Sequence, residues 1–295
     1  MTGNTVNLLL QTNIRSATRK DQPLIEEMYW DLHYENRHLD WRNLTDWLDT
    51  PNFLVLENKW HKLISILVCP QDPPGVAWVK LFVIRHGYNR QEVWDILFSK
   101  LLELLGENQP IIASVALSDW YVKLLEQKGF EKNHELVWLR YDGVPEPLPV
   151  ADEQSEFSLR VMSEQDLSEV QRVDEAAFDL IWQLSSEGLT AAMQHASYAT
   201  VLEWKGQVIA YQISSSTAIQ AHLSRLAVLP EFQGIGLGKK LLNDLIRYYR
   251  VHHHIRTITV NTHSYNQVAL SLYQKTGFQL TGEKYPVYLY NFTKA

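Results

Sequence analysis

The alternation of apolar and polar residues is clearest in the last third of the chain. Leu223, Leu226 and Val228 form a short apolar run that Pro230 ends, which predicts a β-strand. After a glycine-rich segment, apolar residues recur at helical spacing at Leu241, Leu242, Leu245, Ile246 and Tyr249. The pattern therefore predicts a strand, a tight loop and a helix, in that order.

Both halves of the chain show the same order of predicted elements. Each half begins with a strand and one or two helices, which we predict over 24–47 and over 166–194. Two strands in hairpin order, a strand with a long helix, a strand with a short helix and a closing strand follow. Because helices and strands alternate without a uniform register, we predict the α/β fold class, with a mixed α+β sheet in each half.

Short sequences recur between the two halves, which indicates a duplicated domain. Residues 124–130 resemble residues 272–278, and residues 55–57 resemble residues 201–203, at a nearly constant offset. Prolines and acidic residues between the copies are typical of an exposed linker. We predict three segments: a first domain over 1–144, a linker over 145–156 and a second domain over 157–295.

Composition excludes several classes of partner. The net charge of -7 and the pI near 5.9 argue against nucleic acid. Because no apolar stretch is long enough to span a bilayer and no signal peptide is expected, we predict no membrane association. The single cysteine, Cys69, excludes an internal disulfide and fits a cytoplasmic location. The oligomeric state stays open.

Three alternating glycines, Gly234, Gly236 and Gly238, lie between the predicted strand and helix. Such glycines allow positive φ and let consecutive N–H groups converge on an anion, and the helix N-terminus adds a partial positive charge. Lys239 and Lys240 lie within reach of the same anion. The spacing fits neither the Walker loop nor the dinucleotide fingerprint, and a glycine-rich turn without a ligand is the alternative.

The residues around this loop narrow the choice of ligand. Gln233-x-x-Gly236-x-Gly238 after an apolar strand resembles the coenzyme A loop of the GNAT acyltransferase superfamily. A second motif, N-x-x-A-x-x-L-Y-x-x-x-G-F, runs from Asn266 to Phe278 and resembles that family's second signature. Two motifs in the right order are more specific than either alone. The resemblance implies two tandem GNAT-like acyl-CoA N-acyltransferase domains, with coenzyme A between two splayed central strands.

The resemblance also implies which residues bind the acyl donor, acetyl-CoA. In that family, backbone groups at the end of the strand pair with the pantetheine arm, and amides of the loop hold the pyrophosphate. The implied residues are Leu226, Ala227, Val228, Gln233, Gly234, Ile235, Gly236, Leu237, Gly238, Lys239, Asn266 and Tyr273. For Asn266, a plain helix N-cap is the alternative role.

Two side chains are candidates for proton transfer. Tyr273 is the candidate general acid, because a phenol with a reference pKa near 10 stays protonated at pH 7 and can protonate a leaving thiolate. His222 is the candidate general base, with an ordinary strand histidine as the alternative. Where ribosomal-protein acetyltransferases of the superfamily carry Glu, this chain has Asn261. The sequence leaves open whether Arg225 and His263 line the pocket.

The first copy departs from both motifs. In place of Gln233, Gly236, Gly238 and Tyr273, it has Tyr88, Gln91, Val93 and Leu125. We therefore predict that the first domain keeps the fold without the chemistry. We predict no metal site, because the consecutive histidines at 252–254 would alternate between faces of an extended segment.

These observations predict an N-acetyltransferase. The second domain would transfer an acetyl group from acetyl-CoA to a primary amine of a small molecule, by direct attack in a ternary complex. One alternative is a protein or peptide acetyltransferase that acts on an N-terminus or a lysine. Another alternative is a module that binds acyl-CoA without turnover.

Overall fold

The computed structural model describes residues 12–38, 41–106, 108–143, 156–252 and 255–292. By their contacts, residues divide into two compact units. Unit 1 comprises Met1–Asn133 with Pro286–Ala295, and unit 2 comprises His134–Tyr285. Apart from Glu156, the predicted linker over 145–156 lies outside the described residues.

Unit 1 contains a five-stranded antiparallel sheet and a second group of strands. Its elements are β1 (Thr12–Ser16), α1 (Gln22–Met28), β2 (Leu32–Arg37), β3 (Phe53–Asn58), β4 (Leu63–Val68), β5 (Val76–Trp78), β6 (Leu81–Arg85), α2 (Arg90–Leu105), β7 (Ile111–Val115) and α3 (Asp119–Gln127). The sheet order is β1-β3-β4-β6-β2, and β5 pairs in parallel with β7. Aromatic and aliphatic side chains of α2 and α3 fill its larger core.

Strand β2 corrects the helical prediction over 24–47. After the short α1, the chain turns and pairs antiparallel with β6 along its whole length. The buried side chain of Asn36 fixes this strand, because it donates to the Val115 carbonyl at 3.1 Å and accepts from the Leu117 amide at 3.0 Å. The alternation of exposed and less exposed residues in β2 is that of a strand, which the helical interpretation missed.

Unit 2 contains a mixed sheet with helices against it. Its elements are β8 (Glu131–Tyr141), β9 (Phe157–Val161), α4 (Leu167–Ala177), α5 (Ser186–Gln194), β10 (Tyr198–Trp204), β11 (Gln207–Ser216), β12 (Gln220–Val228), α6 (Leu237–Arg247), β13 (Thr257–His263), α7 (Gln267–Lys275) and β14 (Gln279–Tyr290). The strand order runs β14-β8-β13-β12-β11-β10-β9. The apolar faces of α6 and α7 pack on β8, β12 and β13.

Two strands do not follow the order of the repeats. β8 ends the first repeat in sequence, yet from His134 on it belongs to unit 2, where it pairs with β13. β14 ends the second repeat, yet from Pro286 on it belongs to unit 1, where it pairs with β7. The division into repeats at 144 and 157 stays a prediction, and the units defined by contacts have different bounds.

An ion cluster marks the start of unit 1. Arg15 donates to both carboxylate oxygens of Asp21, at 2.8 and 2.7 Å, and also to Glu57 at 3.0 Å. The same Asp21 accepts from the Thr18 amide at 2.7 Å. These contacts lower the pKa of the Asp21 carboxyl to about 2, with the hydrogen bond from Arg15 as the main cause.

The same cluster recurs at the start of unit 2. Arg160 donates to both oxygens of Asp166 at 2.7 Å and also to Glu203, and the Ser163 amide donates to Asp166 at 2.7 Å. The pKa of the Asp166 carboxyl is likewise lowered to about 2, mainly by the hydrogen bond from Arg160. Recurrence of a three-residue ion cluster at the same place supports the duplicated architecture.

Cys69 is fully buried, and burial raises the pKa of its thiol, so the thiolate form is suppressed.

In the part of the chain that the structure describes, none of the helices combines the length and the apolar character needed to cross a lipid bilayer.

Candidate active site

The parallel strands β12 and β13 separate halfway along β12. Gln220–Leu223 pair with Thr257–Val260 in parallel register. From Arg225 to Val228, β12 pairs with β11, while β13 continues beside β8 as far as His263. Among the described strand pairs, this end of β12 therefore has no partner on the side of β13. It presents an open row of backbone groups.

The glycine loop connects this open edge to α6. Gly234 has a φ of +80°, and Gly236, the N-cap of α6, has a φ of +93°. An added Cβ at either position would meet no atom within 4 Å, so the backbone torsions require glycine. Since Gly236 has no side chain to cap the helix, the first amides of α6 can bind an anion such as a pyrophosphate. These residues fit the phosphate part of acetyl-CoA.

Two residues of the predicted loop have other roles in the structure. Gly238 lies within α6, and an added Cβ there would come within 3.2 Å of Leu272 Cδ2, so close packing against α7 favours glycine. Lys240 Nζ donates to the Phe157 carbonyl at 2.7 Å, so this ammonium binds β9 instead of extending toward the loop. Lys239 is exposed.

A cavity of about 210 Å³ opens where the two strands separate. Of the predicted site residues, the structure brings Leu226, Asn266 and Tyr273 to its wall. Arg225 and His263, which the sequence left undecided, also line it. The loop over 233–239, with Ala227 and Val228, is not among the described residues that line this cavity.

Tyr273 lies on α7 and is 6% exposed. Burial raises the pKa of its phenol, so the hydroxyl keeps its proton far above neutral pH. Since Tyr273 lines the cavity, its hydroxyl is a suitable proton donor for a thiolate released there.

Asn266 caps α7. Its side-chain oxygen accepts a hydrogen bond from the Ala269 amide at 3.0 Å. This contact supports the N-cap alternative that the sequence left open. Since Asn266 also lines the cavity, its side chain touches both the helix end and the site.

A buried ion pair, which the sequence did not reveal, supports one wall. Arg225 donates to both carboxylate oxygens of Asp174, at 2.8 and 2.9 Å, and its guanidinium lies 3.9 Å from the Phe178 ring centroid. Asp174 also accepts from the Tyr211 hydroxyl and from the Leu184 amide. An acidic residue on the buried face of α4 was the available signal, because such positions are usually apolar.

Four rings pack together at the same wall, and we call them the ring cluster: His134, Trp182, His263 and Tyr265. The centroid of His263 lies 4.7 Å from that of His134, 4.9 Å from Trp182 and 5.1 Å from Tyr265. Burial lowers the pKa of His263 to about 4 and also lowers that of His134, so both imidazoles are neutral near pH 7. The sequence missed this cluster because its members come from separate elements.

His222 lies on β12 beside this cavity. Its Nδ1 atom is 2.9 Å from the Thr259 hydroxyl, and its ring centroid lies 5.2 Å from that of Trp138. Burial lowers the pKa of His222 to about 4, against a smaller opposing effect of a hydrogen bond with Asn261. His222 does not line the cavity directly, but Asn261 does.

Sequence similarity now identifies the family. Residues 159–289 match the family model described as Acetyltransferase (GNAT) domain. A [Ribosomal protein bS18]-alanine N-acetyltransferase from Haemophilus ducreyi is 33% identical over 134 residues, which is 44% of this chain and 89% of that protein. The chain belongs to the GNAT acetyltransferase family. It is an acetyl-CoA-dependent N-acetyltransferase, as predicted from its two motifs.

Solved structures resemble the whole chain in fold. A tandem GNAT protein from the clavulanic acid biosynthesis pathway has a TM-score of 0.66 at 12% identity, over 95% of this chain and 98% of that one. A GCN5-related N-acetyltransferase from Sphaerobacter thermophilus has a TM-score of 0.63 at 15% identity, over 95% of each chain. The predicted tandem GNAT fold of the α/β class is therefore confirmed.

Proposed function

We propose that unit 2 transfers an acetyl group from acetyl-CoA to the primary amine of a small molecule, by direct attack. One observation carries this proposal. The open edge of β12 at Arg225 and Leu226 and the side chain of Tyr273 line one cavity between the separated strands, and the glycine loop follows β12 in the chain and ends at the N-cap of α6. An acyl transferase must hold the donor, admit an amine and protonate the leaving thiolate, and these three features supply those needs.

The donor would lie along the open edge and the loop. Backbone groups of 226–228 can pair with an amide-containing arm in the way that a neighbouring strand does. The amides of 234–239 at the start of α6 would hold the pyrophosphate, and Gln233 anchors the loop because its side chain donates to the Val228 carbonyl at 3.0 Å. Asn266, which lines the cavity, would form a hydrogen bond with the arm of the donor.

Proton transfer would involve one residue on each face of the sheet. Tyr273 would give its proton to the leaving thiolate. We propose His222 as the group that accepts the proton of the amine, through a water molecule. Its lowered pKa keeps the imidazole neutral near pH 7, which is the form that accepts a proton, and a pKa of about 4 also makes it a weak base.

A protein N-terminus is the second candidate acceptor. It is favoured by the similarity to the Haemophilus ducreyi enzyme, whose name specifies an alanine of ribosomal protein bS18. Asn261 stands where ribosomal-protein acetyltransferases of the superfamily carry Glu. Since an amide cannot act as a base, the residue at 261 favours the small amine instead. The structure places Asn261 on the cavity wall.

Release of free thiol from acetyl-CoA tests the proposal. Purified protein would be assayed with a panel of small primary amines and with peptides that begin with alanine. Turnover with a small amine, and slower turnover with every peptide, is the expected result. Faster turnover of a peptide would transfer the assignment to the second candidate. Binding of acetyl-CoA without thiol release in any reaction would leave only the binding-module alternative.

A further inference from the structure

We call the part of the cavity wall formed by Asp179, Trp182, Arg225, His263 and Tyr265 the acceptor wall. Its positive and negative side chains differ in whether another residue neutralises them. Arg225 and Asp179 are the charged side chains among the described residues that line the cavity. The guanidinium of Arg225 is matched by the buried carboxylate of Asp174, which it contacts through two hydrogen bonds, so this pair is neutral as a unit. Asp179 is exposed at the rim and gives this wall a negative charge.

Aromatic rings line the same cavity as this carboxylate. Trp182, His263 and Tyr265 of the ring cluster line the cavity, and Phe178 precedes Asp179 in the chain. Tyr265 is 54% exposed, so part of this ring surface is accessible to a ligand. The faces of Trp and Tyr rings attract cations, and such rings also pack against flat apolar groups.

The two histidines of the ring cluster do not oppose a cation. His134 and His263 are neutral near pH 7 because burial lowers their pKa, so their rings add apolar surface without positive charge. A ligand carboxylate, in contrast, would meet Asp179 and would find the guanidinium of Arg225 already bound to Asp174. The wall therefore favours an ammonium group and disfavours an acid.

We propose that the acceptor is a primary amine carried on an aromatic body that has no carboxylate, with Asp179 as the counter-charge of the ammonium and Trp182 and Tyr265 as the surface for the ring. This inference rests on the proposed function for its chemistry. It names the class of amine, which the family assignment leaves open.

Calorimetry tests this subsite without turnover. Phenethylamine, phenylalanine and butylamine would each be titrated into the full chain in the presence of coenzyme A. Phenylalanine is phenethylamine with an added carboxylate, and butylamine lacks the ring. Phenethylamine should bind at least tenfold more tightly than either. If phenylalanine or butylamine binds as tightly as phenethylamine, the inference is overturned.

Two variants separate charge from ring contact. Asp179→Asn should weaken phenethylamine binding about fivefold at low ionic strength and less in high salt, because an exposed ion pair is screened. Trp182→Leu should weaken it at least tenfold at any ionic strength. Glu175→Gln removes an exposed carboxylate on α4, four residues before Asp179 in the chain, and is the matched control that should change nothing. A loss that is equal in Asp179→Asn and Glu175→Gln, or no loss in both Asp179→Asn and Trp182→Leu, would refute the assignment.

Thiol release separates the inference from the function on which it rests. If acetyl-CoA is turned over with phenylalanine or butylamine as readily as with phenethylamine, the acceptor class is wrong and the acetyltransferase assignment stands. If calorimetry gives the expected order but none of these amines is acetylated, the subsite is supported as a binding site, and the proposed small-molecule reaction fails.

Discussion

Strand β12, which carries the site in unit 2, has a counterpart in unit 1. In that counterpart, the edge that β12 leaves open is paired with another strand. In unit 2, β12 pairs with β13 over four residues and then leaves its edge open. In unit 1, β5 pairs in parallel with β7, and the chain continues as β6, which pairs with β4 on one side and with β2 on the other. At the sequence offset between the predicted repeats, the segment that forms β2 in unit 1 corresponds to residues 177–182 in unit 2, of which Ala177, Phe178, Asp179 and Trp182 line the cavity.

The helices that follow these strands, α2 in unit 1 and α6 in unit 2, differ in the same way at their N-termini. In unit 1, the first amides of α2 at Gln91 and Glu92 donate to the side chain of Asn89, at 2.9 and 3.2 Å. In unit 2, the N-cap of α6 is Gly236, which offers no such oxygen. The first copy thus satisfies with its own residues both features that the second leaves for a ligand, the strand edge and the helix N-terminus.

The largest expected effect concerns acid stability, in which the two copies should differ. His222 pairs in parallel with Thr259, and the corresponding pair in unit 1 is Ala77 with Ile112, which carries no titratable group. The pKa of His222 is lowered from 6.5 to about 4, so the unfolded state binds this proton at a higher pH than the folded state. Stability is therefore lost as pH falls from 6.5, by about 3 kcal/mol at pH 4.

Urea unfolding at pH 7 and pH 4 measures this term. The fall in unfolding free energy should be about 3 kcal/mol smaller in His222→Gln than in the parent protein. An equal fall in both proteins would mean that His222 is not buried in its neutral form.

Removal of the phenol tests the chemical difference between the copies. Tyr273→Phe should lower kcat by roughly 10²-fold or more, with little change in acetyl-CoA affinity, because it removes a positioned proton donor and keeps the ring. Tyr121→Phe in unit 1 is the control, since it removes a buried hydroxyl that bonds Ser114 at 3.0 Å. The measurement is steady-state kinetics with the best amine. An equal kcat in the two variants would show that Tyr273 takes no part in the proton transfer.

The duplicated ion clusters test what the copies share. Asp21→Asn and Asp166→Asn should each destabilise the protein by about 2 kcal/mol at pH 7, because both carboxyl pKa values are lowered from 3.8 to about 2. This contribution is present above pH 3.8 and is lost as pH falls toward 2. Denaturant titrations should show similar losses of unfolding free energy in the two variants. Both losses should be smaller at pH 3 than at pH 7. A loss confined to one variant would show that the clusters are not equivalent.

Two glycines of matched conformation provide the sharpest control for the loop. Gly236→Val should weaken acetyl-CoA binding at least tenfold, or about 1.4 kcal/mol, because a side chain with positive φ strains the loop that presents the amides. Gly87→Val in unit 1 carries the same type of strain, with φ +90° and open space around the Cβ. Both variants should lose about 1–2 kcal/mol of stability, and only the first should lose affinity by calorimetry.

The motif residues could be predicted because their roles are local. The torsions of Gly234 and Gly236 and the cap at Asn266 depend on a few neighbouring residues, and each lies where its motif predicted. Tyr273 lies on α7 in the N-x-x-A-x-x-L-Y motif, and helical spacing turns it toward the sheet. Repeats, fold class and family were determined by the sequence for the same reason, since they are patterns along the chain.

The filled edge in unit 1 and the acceptor wall in unit 2 were decided only by tertiary structure. The pairing of β2 with β6 depends on Asn36, whose partners lie about 80 residues further along the chain. The ring cluster joins His134, Trp182 and His263 from three distant parts of the sequence, and His134 lies within the predicted first domain, although the contacts place it in unit 2. Contacts between residues so far apart follow from packing and strand register, which no local pattern records.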